Sequence, residues 1–152
     1  MDFNFSDDQQ SLRDATAKWV ERGYTFERRR AIVEKEGGFS QQAWNEMAEL
    51  GLTGLYVPEA DGGLGLGPVD GMVVMEELGR GLVMEPLAQS LIAGATLAKY
   101  ADAQLRAAWQ PRIASGQALV PFLAEYAAGL QELLLNEELS ALVPPALEAI
   151  FA

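Results

Sequence analysis

The side chains able to do chemistry are few in kind. Among the 152 residues there is no Cys and no His, which removes thiol nucleophiles, disulfides, Ser/His and Cys/His pairs and the usual nitrogen and sulfur zinc sites. Carboxylates, hydroxyls, Lys, Arg and backbone remain. Four groupings of these stand out: the glycine run from Gly62 to Gly67, the triplet Arg28, Arg29 and Arg30, the pair Glu76 and Glu77, and the small residues Ala88, Ser90, Ala93, Gly94 and Ala95.

Glycines let backbone amides approach an anion at a helix N-terminus, so the run invites a phosphate cradle. Its spacing is Gly63, Gly65, Pro68, however, with no β-branched strand before it and no basic residue within it, and a structural turn is expected. Three successive arginines point in different directions on a helix, and Glu27 and Glu34 offer local pairs, so a solvated helix end is expected there. A carboxylate on an apolar helix is a functional candidate when its pKa is raised, but Glu76 and Glu77 can both reach Arg80 at i+4 and i+3. The small residues between Ala88 and Ala95 leave room that either a close-packed neighbour or a slender apolar ligand fits, and nothing local decides between them.

These groups sit on a strongly acidic chain. Eleven Lys and Arg against 22 Asp and Glu give a formal charge of -11 and a pI near 4.3, a field that repels phosphate backbones and anionic headgroups. Neither nucleic acid nor a membrane is an expected partner. No apolar run approaches the ~18 residues that a span requires, and the acidic start lacks the basic region of a signal peptide, so a cytoplasmic protein is expected.

The elements that position these residues read as helices. Ser6 and Gln9 make a capping box, which starts a helix near residue 7 whose Leu12, Ala15, Thr16, Trp19 and Val20 form one stripe; it runs to about residue 23 or on toward Gly37. Phe39, Ser40 and Trp44 make a hydrophobic staple around the N-cap of a second helix, closed by Gly51. Leu55 to Pro58 read as extended. Pro68 opens a third helix, apolar nearly all round at Val69, Met72, Val73, Met75 and Leu78 and therefore expected to be buried. Pro86 opens a fourth, and Asp102 caps a fifth with Leu105, Ala108, Trp109 and Ile113 inward. Residues 118–124 resemble a strand, and from Leu130 the chain is leucine-rich and helical in pattern. The expected fold is all-α: an orthogonal bundle of about five helices, with a short strand and a leucine-rich helical C-terminal tail.

In order and length, residues 3–129 resemble the N-terminal helical domain of the acyl-CoA dehydrogenase family. The stretch GLTGLYVPEADGGLGLG, with EELGRG behind it, carries most of that resemblance. It implies three parts: residues 1–116 as the N-terminal helical domain, 117–129 as a remnant of the stretch leading into the family's middle β domain, and 130–152 as a helical tail without family resemblance. It also implies the family chemistry, in which a flavin, FAD, accepts a hydride during α,β-dehydrogenation of an acyl-CoA thioester. Leu123, Ala124 and Glu125 fall where that family contacts its flavin, with Ala124 in place of a Thr. Leu87, Ser90, Leu91 and Gly94 fall where it lines the distal end of the acyl-chain pocket. The family's base and most of its flavin pocket belong to domains with no counterpart in the last 23 residues, so a partial protein is expected, not catalytic alone and without FAD of its own. Acyl-CoA or an acyl chain is the expected ligand, and a homo- or hetero-oligomer the expected assembly. The alternative is a non-catalytic helical interaction module.

Overall fold

The structure is a computed structural model that describes residues 4–118 apart from Glu36. All but Ala118 of the strand expected at 118–124, together with the flavin-contact segment and the leucine-rich tail, lies outside the described residues. Those described are all-α, with six helices: α1 (Asp7–Gly23), α2 (Phe26–Lys35), α3 (Gln41–Glu49), α4 (Pro68–Arg80), α5 (Leu87–Tyr100) and α6 (Ala103–Ala114).

Local hydrogen bonding starts most of them. The Ser6 hydroxyl accepts from the Gln9 amide at 3.2 Å while the Gln9 side chain accepts from the Ser6 amide at 3.1 Å, a complete capping box. Ser40 caps α3 and Asp102 caps α6 in the same sense. At α4, Pro68 takes the first position and the Asp70 carboxylate accepts from the Gly67 amide at 2.8 Å. Phe39 and Trp44 complete the staple, with ring centroids 6.4 Å apart.

Of the two lengths open to the first helix the shorter holds: it ends at Gly23, Tyr24 turns its ring into the interior, and the Thr25 hydroxyl, accepting from the Arg28 amide, opens α2 as a separate helix. Three other expectations need correction. Residues 55–58 are not extended. A 3-10 turn at Leu52–Gly54 leads into a second at Glu59–Asp61, and the chain then folds back so that Leu64, Gly65 and Leu66 donate to the carbonyls of Gly54, Val57 and Leu55. A side chain on Gly63 would strike the Val57 carbonyl, so this turn accepts no other residue there without moving.

Helix α4 is only half buried. Val73, Val74 and Leu78 face inward, yet Val69, Met72 and Met75 are 49, 54 and 39% exposed. The inward arc of an α-helix takes about half its residues, and here the apolar residues outnumber the places available. Helix α6 departs similarly: Leu105, Ala108 and Trp109 are exposed, and Gln110, Ile113 and Ala114 point inward. The polar members of its inner side are held by partners the sequence does not place beside them, Arg106 by Asp61 at 3.0 Å and Gln110 by the Gly94 carbonyl at 2.8 Å.

The main core joins α1, α3, the 3-10 turn, α4 and α5 through Val20, Met47, Leu52, Leu55, Val74, Leu78, Leu87 and Leu91. Each such side chain, fully buried, contributes about 1.5–3 kcal/mol. Two smaller clusters flank it, one of Val57, Ile113, Ala114 and Ala118, the other of Tyr24, Ile32 and Ala43.

Candidate functional site

Helix α5 carries the four candidate substrate residues on one side. Leu87, Ser90, Leu91 and Gly94 are all buried, with Leu87 and Leu91 built into the main core. At Gly94 a Cβ would stand 3.3 Å from Val57 Cγ2, a tight approach, and 3.7 Å from Ile113 Cγ2, an ordinary contact. Val57 and Ile113 are thus close neighbours of α5 at this position. Ser90 differs. Its hydroxyl is wholly buried with no hydrogen-bond partner among the described residues, as is Oε1 of Gln110 on α6. A buried hydroxyl without a partner loses the desolvation cost of a polar group, about 1–3 kcal/mol.

The other end of α5 borders a cleft of about 420 Å³ lined by Tyr56, Leu66, Pro68, Ala95, Ala98 and Lys99. It is apolar apart from the Tyr56 hydroxyl, which is tucked against Gly71, and the Lys99 ammonium, which lies 5.0 Å from the Tyr100 ring centroid. Burial, with the Asp70 charge beside it, raises the Tyr56 pKa. Neither residue was singled out by spacing or motif.

The remaining candidates settle into structural roles. Arg28 donates to Glu46 at 2.8 and 3.1 Å, Arg29 to the Leu82 carbonyl at 3.1 Å and Arg30 to Glu34 at 2.8 Å, so the triplet has three separate destinations, as its spacing implies. Arg28 is the chief reason that the Glu46 carboxyl is held below its ordinary pKa; Trp19 and Gln42 donate to it as well. Glu76 and Glu77 meet Arg80 as expected, and also Arg13 of α1, at 2.9 and 2.8 Å. No local signal gives Arg13, which is 63 and 64 residues away. A second buried carboxylate, Glu85, accepts from the Ser40 amide at 3.2 Å near Tyr24, whose pKa burial pushes up to about 12.

The glycine loop closes on itself. Its amides from Gly63 to Leu66 all donate to carbonyls of residues 54–58, which leaves none to hold a phosphate.

Residues 6–117 match the family model described as acyl-CoA dehydrogenase, N-terminal domain. The chain belongs to the acyl-CoA dehydrogenase family. Among its relatives, the acyl-CoA dehydrogenase IpdE2 of Mycolicibacterium smegmatis is 38% identical over 97 residues, which is 63% of this chain and 30% of IpdE2. A solved variant of the Tcur3481-Tcur3483 steroid ACAD is 31% identical with a TM-score of 0.67, covering 72% of this chain and 30% of that one. Butyryl-CoA dehydrogenase from Megasphaera elsdenii shares the fold at a TM-score of 0.65 and 21% identity, covering 85% and 36%. This chain thus spans about a third of the length of the family members it matches.

The residues expected at a flavin contact, Leu123, Ala124 and Glu125, lie outside the described residues. Within the described residues, the glycine loop offers a pyrophosphate no free amide, since those from Gly62 to Gly67 are already engaged. Among the described residues, no helix is long and apolar enough to cross a membrane.

Proposed function

We propose that this chain serves as the N-terminal helical module of an acyl-CoA dehydrogenase-type protein and presents α5 to the acyl chain of a CoA thioester. The observation that carries the reading is the family match over residues 6–117. Leu87, Ser90, Leu91 and Gly94 are the contact residues of this reading, supported by their common side of α5 and by the Ser90 hydroxyl, which lacks a partner. FAD supplies hydride acceptance where it is bound. In this reading the middle and C-terminal parts of the family fold provide its pocket and the catalytic base, while residues 1–116 are the helical domain, 117–129 lead toward the middle domain and 130–152 form a tail. The chain by itself holds no FAD and does not turn over acyl-CoA. The cytoplasm is its compartment.

Each methylene buried against α5 contributes about 0.8 kcal/mol. With part of the chain left open to water, a dissociation constant on the order of 10⁻⁴ M is expected. Amide chemical-shift titration with octanoyl-CoA tests this: changes concentrated on residues 87–94 support the reading, and a spectrum unmoved at millimolar ligand sinks it. Flavin absorbance in the purified chain would overturn the part concerning FAD.

A second reading, a non-catalytic interaction module, is favoured by the exposed apolar side of α4.

A further inference from the structure

Positive charge is concentrated in one stretch of this acidic chain. Seven of the 11 Lys and Arg fall within residues 13–35 beside four Asp and Glu, a local excess of three cations, while the remaining residues hold four bases against 18 acids. Three of the seven are matched by carboxylates: Arg13 by Glu76 and Glu77, Arg28 by Glu46 and Arg30 by Glu34. Arg29 is not. Its Nε donates to the Leu82 carbonyl at 3.1 Å, and it forms no ion pair among the described residues, so its outer guanidinium nitrogens keep donors to offer.

Arg29 lines a cleft of about 370 Å³ between the end of α1, the start of α2 and the turn after α4. The buried Val20 and Tyr24 line it too, with Arg80, which Glu76 holds at 3.0 Å, and with Phe26 and Leu82, which are 69 and 62% exposed. Of its two acids, Glu21 is exposed and Glu77 is buried against Arg13. Leu82 has a φ of +50°, alone among the described residues that carry a side chain in lying in the left-handed region. The Val83 amide donates to the Leu78 carbonyl and the Leu82 amide to that of Gly79, a helix ending that favours glycine at this position. A leucine there is strained, and the fold recovers little by packing a side chain so exposed. Strain of this kind is kept where a side chain clamps a ligand.

We propose that this cleft docks an acidic segment of a partner protein, with a carboxylate on the outer nitrogens of Arg29 and an aliphatic side chain between Phe26 and Leu82. Charge selects this occupant. An acid is attracted to the stretch that carries the excess of cations and repelled by the rest of a chain of net charge -11. A narrow segment reaches the cleft without approaching the acidic surfaces, which lie beyond the ~8 Å over which charge acts at physiological salt. A broad anionic surface such as a bilayer meets both at once. The exposed Phe26 and Leu82 then give the segment apolar contact on either side of its charge.

Amide chemical-shift titration of the full chain tests the assignment, with a short capped synthetic peptide of alternating Glu and Leu as the probe. Shifts concentrated on residues 17–29 and 80–82 are expected, with a dissociation constant on the order of 10⁻⁴ M that weakens as salt rises. Arg29→Gln should weaken the peptide at least about fivefold, whereas Lys99→Gln, a cation lost from α5 outside the cleft, should not. Leu82→Gly separates binding from folding. Glycine relieves the turn, so this variant should melt at or above the parent's temperature while its affinity falls at least about threefold. A spectrum unmoved by millimolar peptide, equal binding of a peptide with Gln in place of Glu, or full affinity in Leu82→Gly overturns the proposal. Shifts produced by vesicles of anionic phospholipid but not by the peptide overturn it as well and assign the cleft to a membrane surface.

Discussion

Helix α4 has two flanks. Along the one that meets α1, Glu76 and Glu77 are matched by Arg13 and Arg80, and Val74 and Leu78 enter the main core. Along the other, Met72 and Met75 look outward, with the exposed Glu76 one turn beyond Met72. The first flank is complete within the described residues: its acids have bases and its apolar groups have neighbours. The second carries apolar surface that folding did not cover, which is where a binding partner gains most from the hydrophobic effect. The inward arc of the helix thus carries stability and the outward arc the apolar surface left over, and substitutions should separate them.

The largest effect belongs to the closed side. Trp44 is fully buried and its indole N–H donates to the Gly116 carbonyl at 2.8 Å, so Trp44→Ala should cost about 3–5 kcal/mol in urea unfolding. A loss under 1 kcal/mol would show that the core around α3 is far looser than its contacts. Next comes Gly94→Leu, which forces a branched side chain against Val57 and Ile113 and should cost about 1–3 kcal/mol through overpacking. An unchanged melting temperature would mean that α5 has free space behind it, and the ligand reading of the small residues would gain.

The Glu46 cluster gives a pH test. Its folded pKa lies below the ordinary carboxylate value, chiefly because of Arg28, so the stability it adds is present above the unfolded pKa and is lost as pH falls through the folded one. Glu46→Gln should therefore flatten the acid limb of the stability curve below about pH 4.3 and leave the limb above pH 10 unaltered. That alkaline limb should fall as pH rises from about 10 toward 12, since Tyr24 titrates higher when folded. The smallest effect belongs to the open flank: Met72→Ser should change monomer stability by no more than about 0.5 kcal/mol. A cost above 2 kcal/mol would mean that Met72 is packed against something and that the contrast between the flanks is false.

What could be read from the sequence follows the range of the interactions. The caps at Ser6, Ser40, Pro68 and Asp102 were legible because each is a hydrogen bond or a dihedral preference closed within three or four residues. Gly51 was legible too, its φ of +78° being what an αL helix end requires. The family resemblance rested on an ordered run of such local signals, and the all-α class with it. The failures lie where a distant partner decides. Nothing near Gln110 says that the Gly94 carbonyl will hold it inward and leave Trp109 outside. Nothing near Val69 or Met72 says that only half of α4 will find a cover. The candidate site divides the same way: the side of α5 shared by Leu87, Ser90, Leu91 and Gly94 follows from helical spacing, whereas the close approach of Val57 and Ile113 to Gly94 depends on how two remote segments cross it.

The bond from Trp44 to Gly116 has a consequence for how the chain is made. It spans 72 residues, and beside it the Thr53 hydroxyl donates to the Ala114 carbonyl across 61. The backing of Trp44 and Thr53 is therefore supplied by the end of α6 and the turn after it, and a ribosome releases these after every other helix of the domain. At about 5–20 residues per second, Trp44 and Thr53 wait several seconds facing an open edge. During translation those seconds, rather than any period after folding, are when the nascent chain is most exposed to aggregation and to capture by chaperones.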